Sequence, residues 1–371
     1  MTIGEMLLFV FKQKLKRKND IKGKYFDILC PTDDYPIFLA KYMKLPFLQR
    51  LDGVGVLCGT DWTPLYNNRF FYSRLEHSVG TALIIWNFTH DKAQTVAGLL
   101  HDVSTPVFSH ASDFRKGDAL TQTATESTNA AILKNDELLL SLLAADKLTV
   151  EQVENYHRYP VADTEIPQLS ADRLEYMFPS GMILDDCWEL DEIRQCYTDL
   201  SVLKNEKGED ELGFNTLATA ELYCERFCRI GHILQLNENK LALQMLGHIM
   251  DLAEQEGLVS ENDFMTLREK QVIEKLDAAV KDKTASTKLI QLYTTFRNMT
   301  KIRHTKKPLP EDKYYCVSLK VKQRYINPLV KTADGTARLY DISPKARKII
   351  DRFLAFNDTP YGCVKLIQPV Q

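Results

Sequence analysis

Arg74-Leu75-Glu76-His77, His101-Asp102 and Phe108-Ser109-His110, answered far downstream by Ser170-Ala171-Asp172-Arg173-Leu174-Glu175-Tyr176, are the segments that decide the fold of this chain. Leu75, Val79, Leu83 and Trp86 recur at helical spacing, so a helix starts at Arg74. Asp91 is placed to cap a second helix, which carries Ala93, Val96, Ala97, Leu99 and Leu100 and ends in His101-Asp102. Pro106 prevents its simple continuation. Ser170 opens a further helix, which Pro179 and Gly181 are expected to stop. His77 and His101 thus sit on successive helices whose apolar faces pack together, and Asp102 can turn toward the same point. A fourth group must come from elsewhere, and Asp172 qualifies because it begins a helix in an apolar-periodic stretch. Imidazole nitrogens with carboxylate oxygens suit Mn, Fe, Zn or Mg rather than soft metals. A single histidine on a helix usually binds nothing; the combination is what points to a metal.

Working outward, 371 residues are enough for a large core and more than one domain. With 44% hydrophobic and 26% charged residues the composition is that of an ordinary globular protein. A net charge of -3 argues against a surface built for nucleic acid. The basic run Lys301 to Lys307 reads as a solvated linker. The eight cysteines contain no CxxC pair and fit neither a zinc knuckle nor a disulfide framework. They are expected to be reduced core thiols, which implies a reducing compartment. The apolar patch Met6 to Phe11 is too short to span a bilayer, and lysines follow rather than precede it. The expectation is a cytoplasmic protein with no membrane contact and a packed terminal helix or strand at that patch.

Between these landmarks, Thr149-Val150-Glu151-Gln152 forms a capping box, and residues 215–256 read as two long helices broken near Leu236 to Asn239. Lys204 to Asp210 is a polar turn. Beyond the proline-containing linker at 304–310, Tyr314 to Tyr325 alternates as a strand does, Asp334-Gly335 is a hairpin turn, and Ser343-Pro344 starts a last helix. Cys363 to Val370 reads as a last strand. The expected fold is mainly α, a helical bundle with a small α+β C-terminal appendage. The expected parts are an entry segment at 1–44, a helical core at 45–304 and the appendage at 305–371. No P-loop, dinucleotide fingerprint or GxSxG elbow is present.

Four segments, in order, resemble the HD-domain metal-dependent phosphohydrolases, in the branch containing deoxynucleoside triphosphate triphosphohydrolases. The branch's F-Q-R-L, R-F-E-H-S-x-G, H-D-x-x-H-x-P-F-S-H and D-x-D-K/R-x-D/E-Y become Leu48-Gln49-Arg50-Leu51, Arg74 to Gly80, His101 to His110 and Ser170 to Tyr176. The resemblance is close over residues 45–180 and extends more weakly to 256. It implies an HD-domain helical bundle in which His77, His101, Asp102 and Asp172 hold a divalent metal ion (Mn, Fe, Zn, Ni or Mg). It implies that Arg74 and Arg173 contact a phosphate chain, with Arg229 where the branch has a further phosphate-binding arginine. Gln49 and Arg50 would contact the substrate, Gln49 near a nucleotide sugar, Tyr176 would line the sugar pocket, and His110 would face the phosphate next to the sugar. A nucleotide or other phosphorylated small molecule is the implied ligand, and a homo-oligomer the implied assembly.

The sequence also departs from the branch. Thr105 stands where the branch has a histidine, and Pro106 is displaced by one. Thr125-Glu126 replaces a His-Glu pair, Ser180 a sugar-reading Asp, and Asn237 a tyrosine that packs on deoxyribose. Proton transfer would fall to His110, Glu126 or a metal-bound water beside Asp102. The expected activity is hydrolysis of a (deoxy)nucleoside triphosphate or related phosphoester. The alternatives are a nucleotide-binding regulatory protein without turnover, and a phosphodiesterase or phosphatase acting on a non-deoxy substrate.

Overall fold

The computed structural model describes residues 21–31, 34–120 and 128–368. The apolar patch at 6–11, Thr125 and Glu126 lie outside them. The helices that frame the site are α1 (Ile21–Leu29), α2 (Pro46–Arg50), α3 (Arg74–Thr89), α4 (Lys92–Leu100), α5 (Ala111–Arg115), α6 (Ala171–Leu184), α7 (Leu217–Gln235), α8 (Asn237–Gln255), α9 (Glu269–Lys281), α10 (Thr287–Asn298) and α11 (Pro344–Leu354). The fold is mainly α. No described helix is long and apolar enough to cross a membrane.

Local chemistry sets the ends of the site helices. Ser73 and Glu76 form a reciprocal capping box on α3, and His90 ends that helix in the left-handed region. The Asp91 carboxylate accepts the Gln94 N–H and starts α4. The helix opened by Ser170 does not stop at Pro179 but runs on to Leu184. Proline removes one helical donor, which frees the carbonyl four residues back, that of Glu175. The Tyr25 hydroxyl donates to that carbonyl at 3.4 Å, so the helix can continue.

Two hydrophobic cores meet at the site. One packs α1, α3, α4, α6, α7 and α11, the other α8, α9, α10 and the strands that carry Val317 and Val364. Val103 belongs to the first and Val107 and Phe108 to the second, so the loop after Asp102 crosses from one core to the other.

The C-terminal residues share one of their sheets with a hairpin of the preceding chain. Strands β1 (Leu200–Lys204) and β2 (Asp210–Phe214) make the hairpin around the polar turn at 204–210. β2 then pairs in parallel with β5 (Leu329–Thr332), which pairs with β6 (Gly335–Arg338). A second sheet orders β3 (Arg303–Thr305), β7 (Tyr361–Lys365) and β4 (Tyr314–Val317). β4 is shorter than the alternation suggests. In this sheet Cys316 and Cys363 lie directly opposite and form a disulfide, which corrects the expectation that all the cysteines are reduced. Their pairing is set by strand register, which spacing in the sequence does not reveal.

The two parts of the first sheet are tied by charge. Glu211 is fully buried, and Arg338 of β6 grips its carboxylate at 2.6 and 2.8 Å. Removing one partner of a buried pair leaves an uncompensated charge, at a cost of about 3 kcal/mol or more. Arg338→Ala should therefore lower the unfolding free energy by that much in chemical denaturation. Arg338→Lys should recover only part of it, because a lysine cannot make the two-pronged contact.

Candidate metal and phosphate site

Four side-chain atoms converge where α3, α4 and α6 meet. His77 Nε2 lies 3.2 Å from His101 Nε2, 2.9 Å from Asp172 Oδ1 and 3.8 Å from Asp102 Oδ2. His101 Nε2 is 3.5 Å from Asp172 and 3.6 Å from Asp102. Ligands bound at about 2.1 Å to one ion stand roughly 3–3.5 Å apart, so the spacing suits a single metal. The far ring nitrogens reinforce this. His101 Nδ1 donates to the Gly98 carbonyl at 2.7 Å, and His77 Nδ1 pairs with Glu175 at 2.5 Å. With neutral rings, as metal ligation requires, both Nε2 atoms present lone pairs toward each other and toward two carboxylates. Such an arrangement calls for a cation. The same field acts on a proton: burial opposes charge on His77, yet Asp172 and Glu175 push it up to about 10. Asp102 and Asp172 are held well below the usual carboxylate range, against burial, by Arg74 and the two histidines. The His/Asp cluster thus supports a divalent metal ion.

Glu175 orients the cluster. It is fully buried, and its other oxygen accepts the hydroxyls of Tyr72 at 2.5 Å and Tyr25 at 3.3 Å. Burial raises its pKa while these three partners oppose the shift. Two close approaches make room. A Cβ on Gly98 would stand 2.3 Å from Ile85, so glycine lets α3 and α4 approach until their histidines meet. A Cβ on Gly80 would stand 2.3 Å from the Glu175 carboxylate.

Arg74 begins α3 beside the His/Asp cluster. Its guanidinium donates to Asp102 Oδ2 at 2.8 Å and to Ser109 Oγ at 3.2 Å. Ser109 donates in turn to the Gly55 carbonyl at 3.0 Å, and the Gly55 N–H is held by buried Glu269 at 2.8 Å. Phe108 and Ser109 both have positive φ, 62° and 49°, which turns the chain so that the Ser109 hydroxyl reaches this relay. Thr105 Oγ1 donates to Asp102 Oδ1 at 2.9 Å, so the threonine found in place of an imidazole braces a cluster carboxylate. Glu269 also accepts the Trp62 indole N–H at 2.7 Å, and burial pushes its pKa up to about 7.

The cluster forms one end of a cavity of about 630 Å³, within the range of small-molecule sites. Arg74, His110, Arg173, Tyr176 and Ser180 line it. His110 Nδ1 pairs with fully buried Asp113 at 2.8 Å. Burial, with the charges of Arg74 and Arg324, lowers the His110 pKa against that bond. Arg173 is turned onto the carbonyls of Gln168 and Thr164. Three expected residues lie outside the wall. Gln49 folds back onto the Met43 carbonyl at 2.5 Å. Arg50 is buried and donates to the Thr105 carbonyl, bracing the loop after Asp102. Arg229 is paired with Asp185 on the outside of α7, with half its side chain exposed. Asn237 also lies apart, its amide bonded to the Thr359 carbonyl.

Sequence reasoning passed over Tyr66, Tyr156, His157, Asp163, Lys322 and Arg324, which line the same cavity. Lys322 and Arg324 alternate on an extended C-terminal segment, a spacing that puts them on one face. Glu175 was findable from its place one helical turn after Asp172. Glu269 carries no such signal. The hydroxyls of Tyr66 and Tyr176 are buried without a hydrogen-bond partner among the described residues, which leaves two donors in the cavity wall for a ligand.

No protein-family model matches the chain. It is similar to the uncharacterized protein YdhJ of Bacillus subtilis, 23% identical over 316 residues that cover 84% of this chain and 89% of that protein. It is also similar to the metal-dependent phosphohydrolase cns2 of Cordyceps militaris, 30% identical over 141 residues. That match covers 37% of this chain and 39% of that protein. Among solved structures, a hypothetical protein from Aquifex aeolicus aligns with a TM-score of 0.59 at 16% identity, over 88% of this chain and 91% of that one. A phosphohydrolase from Bacteroides thetaiotaomicron aligns with a TM-score of 0.58 at 13% identity, over 92% and 95%. The fold is therefore shared with both structures over most of their length.

Two outcomes follow from this geometry. Gly80→Ala should displace Glu175 and weaken metal binding about tenfold in a calorimetric titration, as loss of an orienting partner does. For Glu269 the folded pKa of about 7 lies above the ordinary value of 4.5, so the folded state holds its proton to higher pH than the unfolded chain. Its contribution to stability is present below the unfolded pKa and is lost as pH rises toward 7. The stability of the wild type relative to Glu269→Gln should fall by roughly 3 kcal/mol between about pH 4.5 and 8. Parallel denaturation curves check this.

Proposed function

We propose that the chain is an HD-type metal-dependent phosphohydrolase acting on a nucleotide, with a (deoxy)nucleoside triphosphate or a related phosphoester as substrate. The observation that carries this reading is the convergence of four lone-pair donors, His77, His101, Asp102 and Asp172, beside the Arg74 guanidinium. The partial similarity to a metal-dependent phosphohydrolase and the fold shared with a phosphohydrolase support it. The residues present fit a divalent ion, which when bound supplies Lewis-acid polarisation of a phosphoryl oxygen.

The chain's own groups do the rest. Arg74 is oriented by Asp102 and Ser109, so its position is set before a phosphate arrives. Arg173, Lys322 and Arg324 add positive charge to the cavity wall. His110 is kept neutral by burial and its Nδ1 is held by Asp113, which suits Nε2 to take a proton from water. Tyr66 and Tyr176 offer hydroxyls to the sugar or base.

A second reading, nucleotide binding without turnover, is favoured by one observation: Thr105 is committed to Asp102 and cannot transfer a proton as an imidazole would. Metal analysis of the purified protein with a phosphate-release panel of dNTPs, NTPs, monophosphates and cyclic nucleotides separates the two. The expected result is metal-dependent release that is lost on chelation and restored by added metal. Asp102→Ala should reduce kcat by at least about 10³-fold, since it removes both a metal ligand and the Arg74 anchor. Binding without release across the panel would establish the second reading instead.

A further inference from the structure

The disulfide between Cys316 and Cys363 lies just upstream of a stretch that walls the cavity. β7 is the central strand of its sheet, and β4 is an edge strand of four residues, paired on one side only. Alternation puts Tyr315, Val317 and Val364 on the inner face. There both valines join the second core, and the Tyr315 hydroxyl pairs with His248 Nδ1 of α8 at 2.7 Å. Cys316 and Cys363 stand opposite each other on the outer face. Cys363 is fully buried, whereas Cys316 is half-buried and its sulfur accepts the Leu309 N–H at 3.4 Å. The other six cysteines are free thiols, four of them buried.

Beyond β4 the chain forms neither helix nor strand from 318 to 328, where β5 follows. Val321, Lys322 and Arg324 of this stretch line the cavity. Val321 is anchored in the second core. The Lys322 N–H donates to the Ala119 carbonyl at 3.3 Å, and the Lys322 carbonyl accepts the Gln235 side chain at 3.0 Å. Upstream, the disulfide locks the short edge strand to the central one. A reductant reaches that bond from the half-buried side of Cys316, as it does not reach a bond closed inside a core.

We propose that the Cys316–Cys363 bond is a thiol–disulfide switch that sets how firmly the cavity holds a polyphosphate. This rests on the phosphohydrolase reading above for the chemistry of the ligand. A dithiol supplies the two electrons and two protons of the reduction. Its thiolate attacks Cys316 Sγ, and the bond to Cys363 breaks with its electron pair on Cys363 Sγ, which takes a proton. The second thiol of the reductant then displaces Cys316, which leaves as a thiol, and the reductant departs as its own cyclic disulfide. Reduced, β4 keeps its ladder and its inner-face contacts but loses the cross-link. The stretch carrying Lys322 and Arg324 gains freedom, and ordering it around a ligand then costs affinity.

The test uses the metal-loaded full chain in three forms: oxidised, reduced by dithiothreitol and desalted under nitrogen, and carrying Cys316→Ser. Metal content is checked in each. Inorganic tripolyphosphate is the probe in a calorimetric titration, and amide hydrogen exchange is followed in peptides covering 314–328. Reduction should speed exchange in that stretch and raise the tripolyphosphate Kd about five- to tenfold, at the lower end of the usual coupling between two sites. Cys316→Ser should match the reduced protein with or without dithiothreitol. By linkage, saturating tripolyphosphate should shift the equilibrium with dithiothreitol toward the disulfide by the same factor. Equal Kd in the two redox states, unchanged exchange over 314–328, or a dithiothreitol response that persists in Cys316→Ser would each overturn the switch and leave the phosphohydrolase reading intact. So would failure of every form to bind tripolyphosphate while the nucleotide panel still releases phosphate. Neither binding nor release by the oxidised protein would overturn that reading, and the switch with it.

Discussion

A carboxylate cannot be buried in a protein interior without partners, and Glu175 is buried completely. Its two oxygens are met by His77, Tyr72 and Tyr25, which come from three separate stretches of chain. That requirement fixes much else. It sets the ring orientation of His77 and so aims Nε2 at His101 and Asp172. It brings α1 against α6, where Tyr25 also meets the carbonyl that Pro179 leaves without a helical donor. It demands a glycine at position 80, where any side chain would occupy the carboxylate's place. One buried charge thus couples the packing of α1, α3 and α6 to the geometry of the cluster.

Outside that cluster the site is a product of relays rather than of single contacts. Glu269 on α9 holds Gly55, Gly55 holds Ser109, and Ser109 with Asp102 holds Arg74. Arg50 and Thr105 brace the loop in between. Because this loop crosses from one hydrophobic core to the other, its shape depends on both. The cavity is likewise shared. The helical body supplies the lone pairs, and the C-terminal segment supplies Lys322 and Arg324 on the facing wall. Negative donors that call for a cation thus share one cavity with Arg74, Arg173, Lys322 and Arg324.

The residues of the cluster were legible in the sequence because their signals are local. His77 and His101 stand at definite points of two amphipathic helices, each with a capping residue, and Asp172 follows an N-cap serine. Arg74, His110 and Tyr176 were singled out by the family resemblance rather than by periodicity or capping, and all three line the cavity. Gln49, Arg50 and Arg229 show where local reading stops. Gln49 and Arg50 stand in a matching segment and Arg229 in the weaker stretch beyond it, and each side chain has a partner outside the cavity wall (the Met43 carbonyl, the Thr105 carbonyl and Asp185). Rotamer choice answers to neighbours far away in sequence.

By itself the sequence determined the mainly helical body, the positions of its site helices and the His and Asp side chains that cluster between them, since periodicity and capping act over a turn or two of chain. Only the tertiary structure decided that Glu175 orients His77, that His157 and Asp163 join the cavity, and that the C-terminal strands complete both the sheet and the site. It also decided the Cys316–Cys363 disulfide, which strand register alone creates. Each of these depends on contacts between residues far apart in the chain, and burial and register, not spacing, choose such partners.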